Sequence, residues 1–512
     1  MEIESSLSVL SDLKIDKRIW RDRLLEYFVL FVIVLIFGKL IITWLNVVPT
    51  DLDSAKYFLS SMVQAQAAII ALVVTLTLVA IQMAASSYTP RVIDVMMKSP
   101  DLWFLLVIYI ASISIGFIAL KLVADWDLVS FVLILGIYTF LTLFPYMIHT
   151  IKLLRPDEVV KRLVSDINAE NIYEKEWTDD IMQPVFDVVH ASIMRYDVTT
   201  TRTGLKDLSK RLLELFLSFD KENREKKAED ITKYFCNHIE RSALVAFRND
   251  DEGILIEIIE ILDNFGTHTA CNNLELATEQ VANALGAVGI RTVDKGEEKV
   301  IEHVAIALGD IGTSAAKNRL ESATKEVVEN LGELGHCAAD NQLETATERA
   351  VKTLGKLGID TANNQLKEAT GILIHTLAYV ADDAAEHEMT VAVWNAVSWL
   401  GEIGVHAADN HLENATLMVV ITLDEMDTKT PFSSLSEIFI SLGTHAADNE
   451  MEEPTERVIE ALTDWGIYFT KEGNMESKQQ ALNALFIVNI HAENKGLENA
   501  VKQVANALAS IH

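Results

Sequence analysis

Asn341-Gln342-Leu343-Glu344-Thr345-Ala346-Thr347-Glu348-Arg349-Ala350-Val351-Lys352-Thr353-Leu354-Gly355-Lys356-Leu357-Gly358 is one pass of a pattern that fills the second half of the chain. Sliding the sequence against itself aligns Gly266, Gly289, Gly312, Gly335, Gly358, Ala381, Gly404 and Asp427, each 23 residues after the last. A step of 16 then reaches Gly443, and steps of 23 reach Gly466 and Asn489. The short step is 23 minus 7, the loss of about two helical turns. With a first unit at Ala243, twelve units cover residues 243–512.

Six residues after the glycine position comes asparagine, as at Asn249, Asn272, Asn318, Asn341, Asn364, Asn410 and Asn449, and often glutamate three further on, as at Glu275, Glu321, Glu344, Glu413 and Glu452. Asparagine followed by glutamate at this spacing predicts a capping box at a helix start. Leu320, Leu343 and their equivalents, with Ala-Thr pairs such as Ala346-Thr347, continue at helical periodicity. The closing Leu-Gly-x-x-Gly predicts a left-handed C-cap on the final glycine and close helix packing at the first. Each unit then reads as one helix of roughly 16 residues, about 24 Å long. Such a helix cannot bury a face alone and must stack on its neighbours. The expectation is an α-solenoid of HEAT-like style.

The first part of the chain has another composition. Apolar runs at Tyr27–Val48, Leu59–Ala85, Leu102–Val123 and Leu128–Ile148 each meet the roughly 20 residues needed to cross hydrocarbon. The first follows a mixed-charge segment with no small-residue cleavage site, so it is not a signal peptide. Lys14, Lys17, Arg18, Arg21 and Arg23 precede it. Arg91 and Lys98 separate runs two and three, and Lys152, Arg155, Lys161 and Arg162 follow run four. The opposite loops hold Lys56 and Lys121 against four aspartates, so the positive-inside rule puts both termini in the cytoplasm of a multi-pass plasma-membrane protein. The expected layout is all-α: a cytoplasmic segment 1–26, four spans in 27–150, a helical connector 151–242 and the solenoid 243–512. In the connector, Asp197 to Thr203 reads as a polar loop.

Charge is distributed unequally. The formal net charge is −31, and residues 1–150 hold 12 acidic and 10 basic side chains, leaving 62 and 33, a net −29, for 151–512. That balance repels nucleic acid and anionic lipid headgroups. Cys236, Cys271 and Cys337 lie far apart, giving neither a disulfide framework nor a zinc motif. No phosphate-binding loop, dinucleotide fingerprint or hydrolase motif occurs, so no enzymatic activity and no cofactor are expected.

Run two carries a polar stripe. At 100° per residue, Ser60, Gln64, Ala68, Ala71, Thr75, Gln82, Ser86 and Thr89 fall along one line of an otherwise aliphatic helix. Carboxamides and hydroxyls in hydrocarbon need partners, so the stripe either packs against other helices or lines a water-filled path. Lys39 is the one charge well inside run one; it snorkels outward or faces a cavity. Pro145 is expected to kink run four.

The end of run two, Leu76-Thr77-Leu78-Val79-Ala80-Ile81-Gln82-Met83-Ala84-Ala85-Ser86-Ser87-Tyr88-Thr89-Pro90-Arg91, resembles a signature of the prokaryotic membrane family catalogued as domain of unknown function 2254. The family pattern is departed from at Ile81, Met83, Ala85, Ser87 and Thr89. The resemblance covers about residues 25–215 and implies an integral membrane protein, the family having no agreed activity. Physically, Pro90 pushes Thr89 out of the helical region, and with Arg91 it ends the span at the cytoplasmic face, as a mouth or hinge would.

Two functions are compatible with these readings. One is a homo-oligomeric channel or transport pore for an inorganic cation, lined by run two, with the acidic solenoid as vestibule or sensor. The other is a scaffold anchored in membrane lipid by its spans, whose solenoid binds a cytoplasmic protein. The recurring His268, His336, His406, His445 and His491 read as one structural slot, filled elsewhere by Ser314, Asp360 and Asp383, with no metal expected.

Overall fold

The structure, a computed structural model, describes residues 17–45, 51–87, 100–122, 126–153, 155–168, 172, 181–426 and 432–511. Twenty α-helices and no strand are present among them. The chain divides into two compact units, Met1–Arg195 and Tyr196–His512.

In the first unit, helix α1 (Lys17–Leu45), α2 (Leu52–Ser87), α3 (Pro100–Lys121) and α4 (Trp126–Leu153) pack so that α4 touches the other three. Among the described residues, three segments, Leu52–Val79, Pro100–Lys121 and Asp127–Lys152, are long and apolar enough to cross a membrane. Close approach depends on small residues here. A Cβ on Gly116 would meet Val63, and one on Gly136 would meet Met62. Pro145 lies inside α4, which continues to Leu153. Two short helices, α5 (Pro156–Ser165) and α6 (Gln183–Ile193), complete the described part of the unit.

The second unit is a two-layer stack. Its helices are α7 (Val198–Ser218), α8 (Arg224–Arg248), α9 (Glu252–Cys271), α10 (Glu275–Val293), α11 (Glu298–Lys317), α12 (Glu321–Asp340), α13 (Glu344–Asn363) and α14 (Lys367–Glu386). There follow α15 (Thr390–Asp409), α16 (Glu413–Glu425), α17 (Phe432–Asp448), α18 (Glu452–Glu472), α19 (Met475–Lys495) and α20 (Glu498–Ile511). Each packs on the next and on the next but one. Because α7 and α8 take part, the stack begins at Val198, earlier than residue 243. The Thr-rich stretch after Asp197 is accordingly no loop. Asp197 accepts from the Thr200 N–H at 3.1 Å and so caps α7, which contains the threonines.

The expected caps are reversed. Asn272, Asn318, Asn341, Asn364, Asn410 and Asn449 end helices: each side-chain amide donates to the carbonyl four residues earlier, from 2.7 Å at Asn272 to 2.9 Å at Asn449. The next residue, such as Gln342 or Gln365, takes a left-handed conformation with φ near +60°. Paired backbone bonds close the turn, with Leu343 N–H to Ala338 O and Gln342 N–H to Ala339 O, both 2.9 Å. The glutamates reach elsewhere too. Glu275 accepts from Ser322 N–H (2.7 Å) and Glu321 from Glu368 N–H (2.9 Å), each satisfying a free amide of the helix two places on.

The final glycine of Leu-Gly-x-x-Gly does not end the helix either. Gly355 and Gly358 lie inside α13, a helix of 20 residues rather than about 16. A Cβ on Gly355 would collide with Trp399 and one on Gly358 with Ile403, 44 and 45 residues ahead. Gly309 and Gly312 face Thr353 and Leu357 at the same offsets, and Gly332 and Gly335 face Thr376 and Val380. The missing side chains are seats for the helix after next. Buried Thr324, Thr347, Thr370 and Thr416 return their hydroxyl protons to the carbonyl four residues back, which satisfies these recurring threonines inside their own helices.

Candidate functional site

The polar stripe of α2 points away from the rest of its own unit. Gln64, Ala68, Ala71, Thr75 and Gln82 are exposed and Ser60 is half-buried. Gln64 donates to Ser60 Oγ (3.2 Å) and Thr75 to the Ala71 carbonyl (2.8 Å), so these polar bonds stay within the helix. Ser86 belongs to α2 by backbone, while its side chain, Thr89, Pro90 and Arg91 lie outside the described residues. Lys39 occupies an exposed position on α1.

The opposite face of α2 packs inward, and its polar residue is Gln66. Only 5% exposed, it donates to Ser112 Oγ of α3 (3.0 Å) and Thr139 Oγ1 of α4 (3.1 Å). Thr77 on the same face bonds Tyr146 of α4. Among the described residues, α2 bonds to its neighbouring helices through Gln66 and Thr77, whereas Gln64 and Thr75 bond within α2.

A buried ionic cluster sits at one end of the four helices. Asp101, 2% exposed, opens α3, where the helix dipole favours an anion. It accepts a bond from Tyr27 Oη (3.3 Å) and lies 3.7 Å from Arg23 Nε and 3.8 Å from His149 Nδ1. Arg23 in turn bonds Glu26 (2.7 Å) and His149 Nε2. Arg162 of α5 is close enough to feel Asp101: burial pushes its guanidinium pKa down, and the carboxylate opposes that shift. Asp101 therefore ties α1 and α4 to α3.

In the second unit, histidines join helix ends. His445 Nδ1 meets Asp409 at 2.8 Å, His491 Nδ1 meets Asp448 at 3.0 Å and His406 Nδ1 meets Asn363 Oδ1 at 3.0 Å. His336 is one residue nearer its glycine than the others, so it does not share their slot.

Asp263 is held up to a pKa of about 6, chiefly by burial and next by Asp310, which is itself raised by burial. A carboxyl that binds its proton more tightly folded than unfolded makes stability fall as pH climbs from about 4 to about 6. Asp263→Asn is expected to raise the melting temperature at pH 7.5 and to leave it nearly unchanged at pH 4.5. Thermal melts across that range check this, and an equal shift at both pH values would count against it.

Residues 21–205 match the family DUF2254. It is described as a predicted membrane protein, and the three long apolar helices lie within the matched stretch. The match and the apolar helices support a membrane protein. No curated protein matches the chain. Among solved structures, a circular tandem repeat protein with novel repeat topology is similar over 70% of this chain and 95% of its own, at 15% identity and a TM-score of 0.38. An engineered protein is similar over 69% and 98%, at 13% identity and a TM-score of 0.18.

Within residues 21–205, sequence reasoning selected the stripe and missed both Gln66 and Asp101. Gln66 stands two residues from Gln64, and only its angle on the helix separates them. Asp101 has partners 74, 78 and 48 residues away (Tyr27, Arg23 and His149), a distance that no local pattern spans.

Proposed function

We propose that the chain forms a homo-oligomeric channel or transport pore for inorganic cations in the plasma membrane. All four long helices cross the bilayer with both termini in the cytoplasm, and the α2 stripe of each subunit faces a common water-filled path. One observation carries this reading: Gln64, Thr75 and Gln82 point out of their own helix bundle while Gln66 supplies its internal bonding. A carboxamide left against lipid tails is costly, so the outward stripe requires a second subunit or water. The α1 helix supports the fourth span, since Phe28, Ile36, Phe37 and Leu40 are exposed along it as lipid-facing residues would be.

The solenoid of 23-residue units would act as cytoplasmic vestibule or sensor, with no catalytic role. Its acidic surface concentrates cations within a Debye length of about 8 Å at physiological ionic strength. The second reading, a membrane-anchored scaffold, draws support from Tyr379, Val391 and Trp394, about half exposed on the stack, as side chains that a bound protein would cover.

Mass measurement of the purified particle, with bound detergent subtracted, comes first, because a 57.0 kDa monomer could not enclose a path with one stripe. Then Gln64→Leu, Thr75→Val and Gln82→Leu together are expected to abolish cation flux into proteoliposomes while the assembly stays intact. Unchanged flux would remove the stripe from the pathway. Flux absent from the wild type, with a protein captured by the stack, would favour the scaffold.

A further inference from the structure

The C-terminal turns of α12 and α14 bring together a set of metal-ligating side chains that the other helix pairs lack. His336 and Asp340 lie four residues apart on α12; Asp383 and His387 lie four residues apart at the end of α14, each 47 residues after its counterpart. His336 Nδ1 is 2.6 Å from Asp383 Oδ2, His336 Nε2 is 3.7 Å from Asp340 Oδ2, and His387 Nε2 is 3.5 Å from Asp340 Oδ1. One donor atom from each of His336, Asp340 and Asp383 falls within 4.8 Å of the other two.

We infer that His336, Asp340, Asp383 and His387 form a binding site for a divalent transition metal of the zinc type. Two imidazoles and two carboxylates are a donor set that Zn²⁺ accepts; tetrahedral bonds of about 2.0–2.1 Å place donors about 3.3 Å apart, and with one nitrogen of His336 as ligand the donors of His336, Asp340 and Asp383 already lie within 4.8 Å of one another. Both helices end here, so their carbonyl-terminated dipoles add negative potential where a cation would sit. The equivalent positions one unit earlier are Thr313, Lys317, Asp360 and Asn364, and one unit later Ile359, Asn363, His406 and Asn410. Those pairs are held by a hydroxyl–carboxylate bond (Thr313 to Asp360, 2.8 Å) and by amides (Asn410 to Asn363, 3.2 Å). A purely structural tie needs one or two hydrogen bonds at this step, as the neighbours demonstrate. The α12–α14 step has four ligating groups, and Asp340 approaches an imidazole on each side.

Co²⁺ titration of the full-length protein in detergent micelles tests the site, read by visible d–d absorption and by calorimetry. One Co²⁺ per chain with the strong bands of a tetrahedral site, displaced by Zn²⁺, is the expected result. His336→Ala and Asp340→Asn should each weaken binding by about 100-fold or more, while His445→Ala leaves it unchanged. Asp340 is exposed, so Asp340→Asn keeps the measurement decisive if His336→Ala proves poorly folded by circular dichroism. No stoichiometric binding, or binding that His336→Ala and Asp340→Asn leave intact, would overturn the assignment.

Discussion

Asp101→Asn is expected to destabilise the first unit by about 3–5 kcal/mol, the usual cost of removing one partner from a buried ion pair. The change hardly alters volume. It removes the buried carboxylate beside Arg23, leaving that guanidinium only its half-exposed partner Glu26, and replaces the acceptor that holds Tyr27. A partly buried guanidinium that keeps only a half-exposed anion loses more than the buried pair itself contributes, since its desolvation is less fully offset. Unfolding of the detergent-solubilised protein by denaturing detergent, followed by fluorescence of Trp103 two residues from the site, gives the measurement. Arg23→Gln in the Asp101→Asn background should recover part of the loss, because the stranded charge then disappears. A single-variant effect below about 1 kcal/mol would mean that water or lipid headgroups satisfy the cluster.

Two alanine substitutions on adjacent helices are expected to shift stability in opposite directions. Gly358→Ala would set a methyl group 2.4 Å from Ile403 Cδ1 and 2.7 Å from Leu373 Cδ2, inside a seat that has no spare room. Overpacking of this kind costs about 1–3 kcal/mol, in spite of alanine's higher helix propensity. At Gly371 the nearest atom to an added Cβ is Met418 Cε at 3.8 Å, an ordinary contact. Gly371→Ala should therefore stabilise by about 0.5–1 kcal/mol through propensity and lost unfolded-state freedom. Thermal and denaturant melts of both variants decide the matter. Destabilisation by both would show that the helices tolerate no added methyl group, whether or not a knob sits on the glycine. Stabilisation by both would show that Ile403 yields without cost.

The α-helical character and the membrane location were legible in the sequence because both rest on local composition: runs of apolar residues, and leucine and alanine at helical spacing. Helix ends were not. Asparagine and glutamate three apart suit an N-terminal box on local grounds, yet Asn341 ends α12 and Glu321 caps the amide of Glu368 two helices on. The glycines misled for the same reason. Their role follows from side chains 44 and 45 residues ahead, and the left-handed position falls instead to residues such as Gln342 and Glu388. In the candidate site, the polar stripe could be drawn from helical angle alone. The direction it faces could not, because that depends on which side of α2 Gln66 offers to Ser112 and Thr139. Nor could the four-residue spacings of His336 with Asp340 and Asp383 with His387 become one cluster before the stack fixed their shared register.

The seating of one helix on another also bears on how such an array can change length over generations. From Gly355 and Gly358 the receiving partners lie 44 and 45 residues ahead; from Gly401 and Gly404 they are Ile438 and Leu442, only 37 and 38 ahead. The chain has lost seven residues there, α16 has 13 residues in place of 20, and the knob still finds its hollow. Seven residues turn a helix through about 700°, some 20° short of two full rotations, so the same side stays toward its neighbour. Five would leave it rotated by about 140° and present charge to the core. Heritable trimming or growth in sevens is thus nearly silent to the packing, and a lineage can shorten or extend this array in that increment without redesigning the faces that meet.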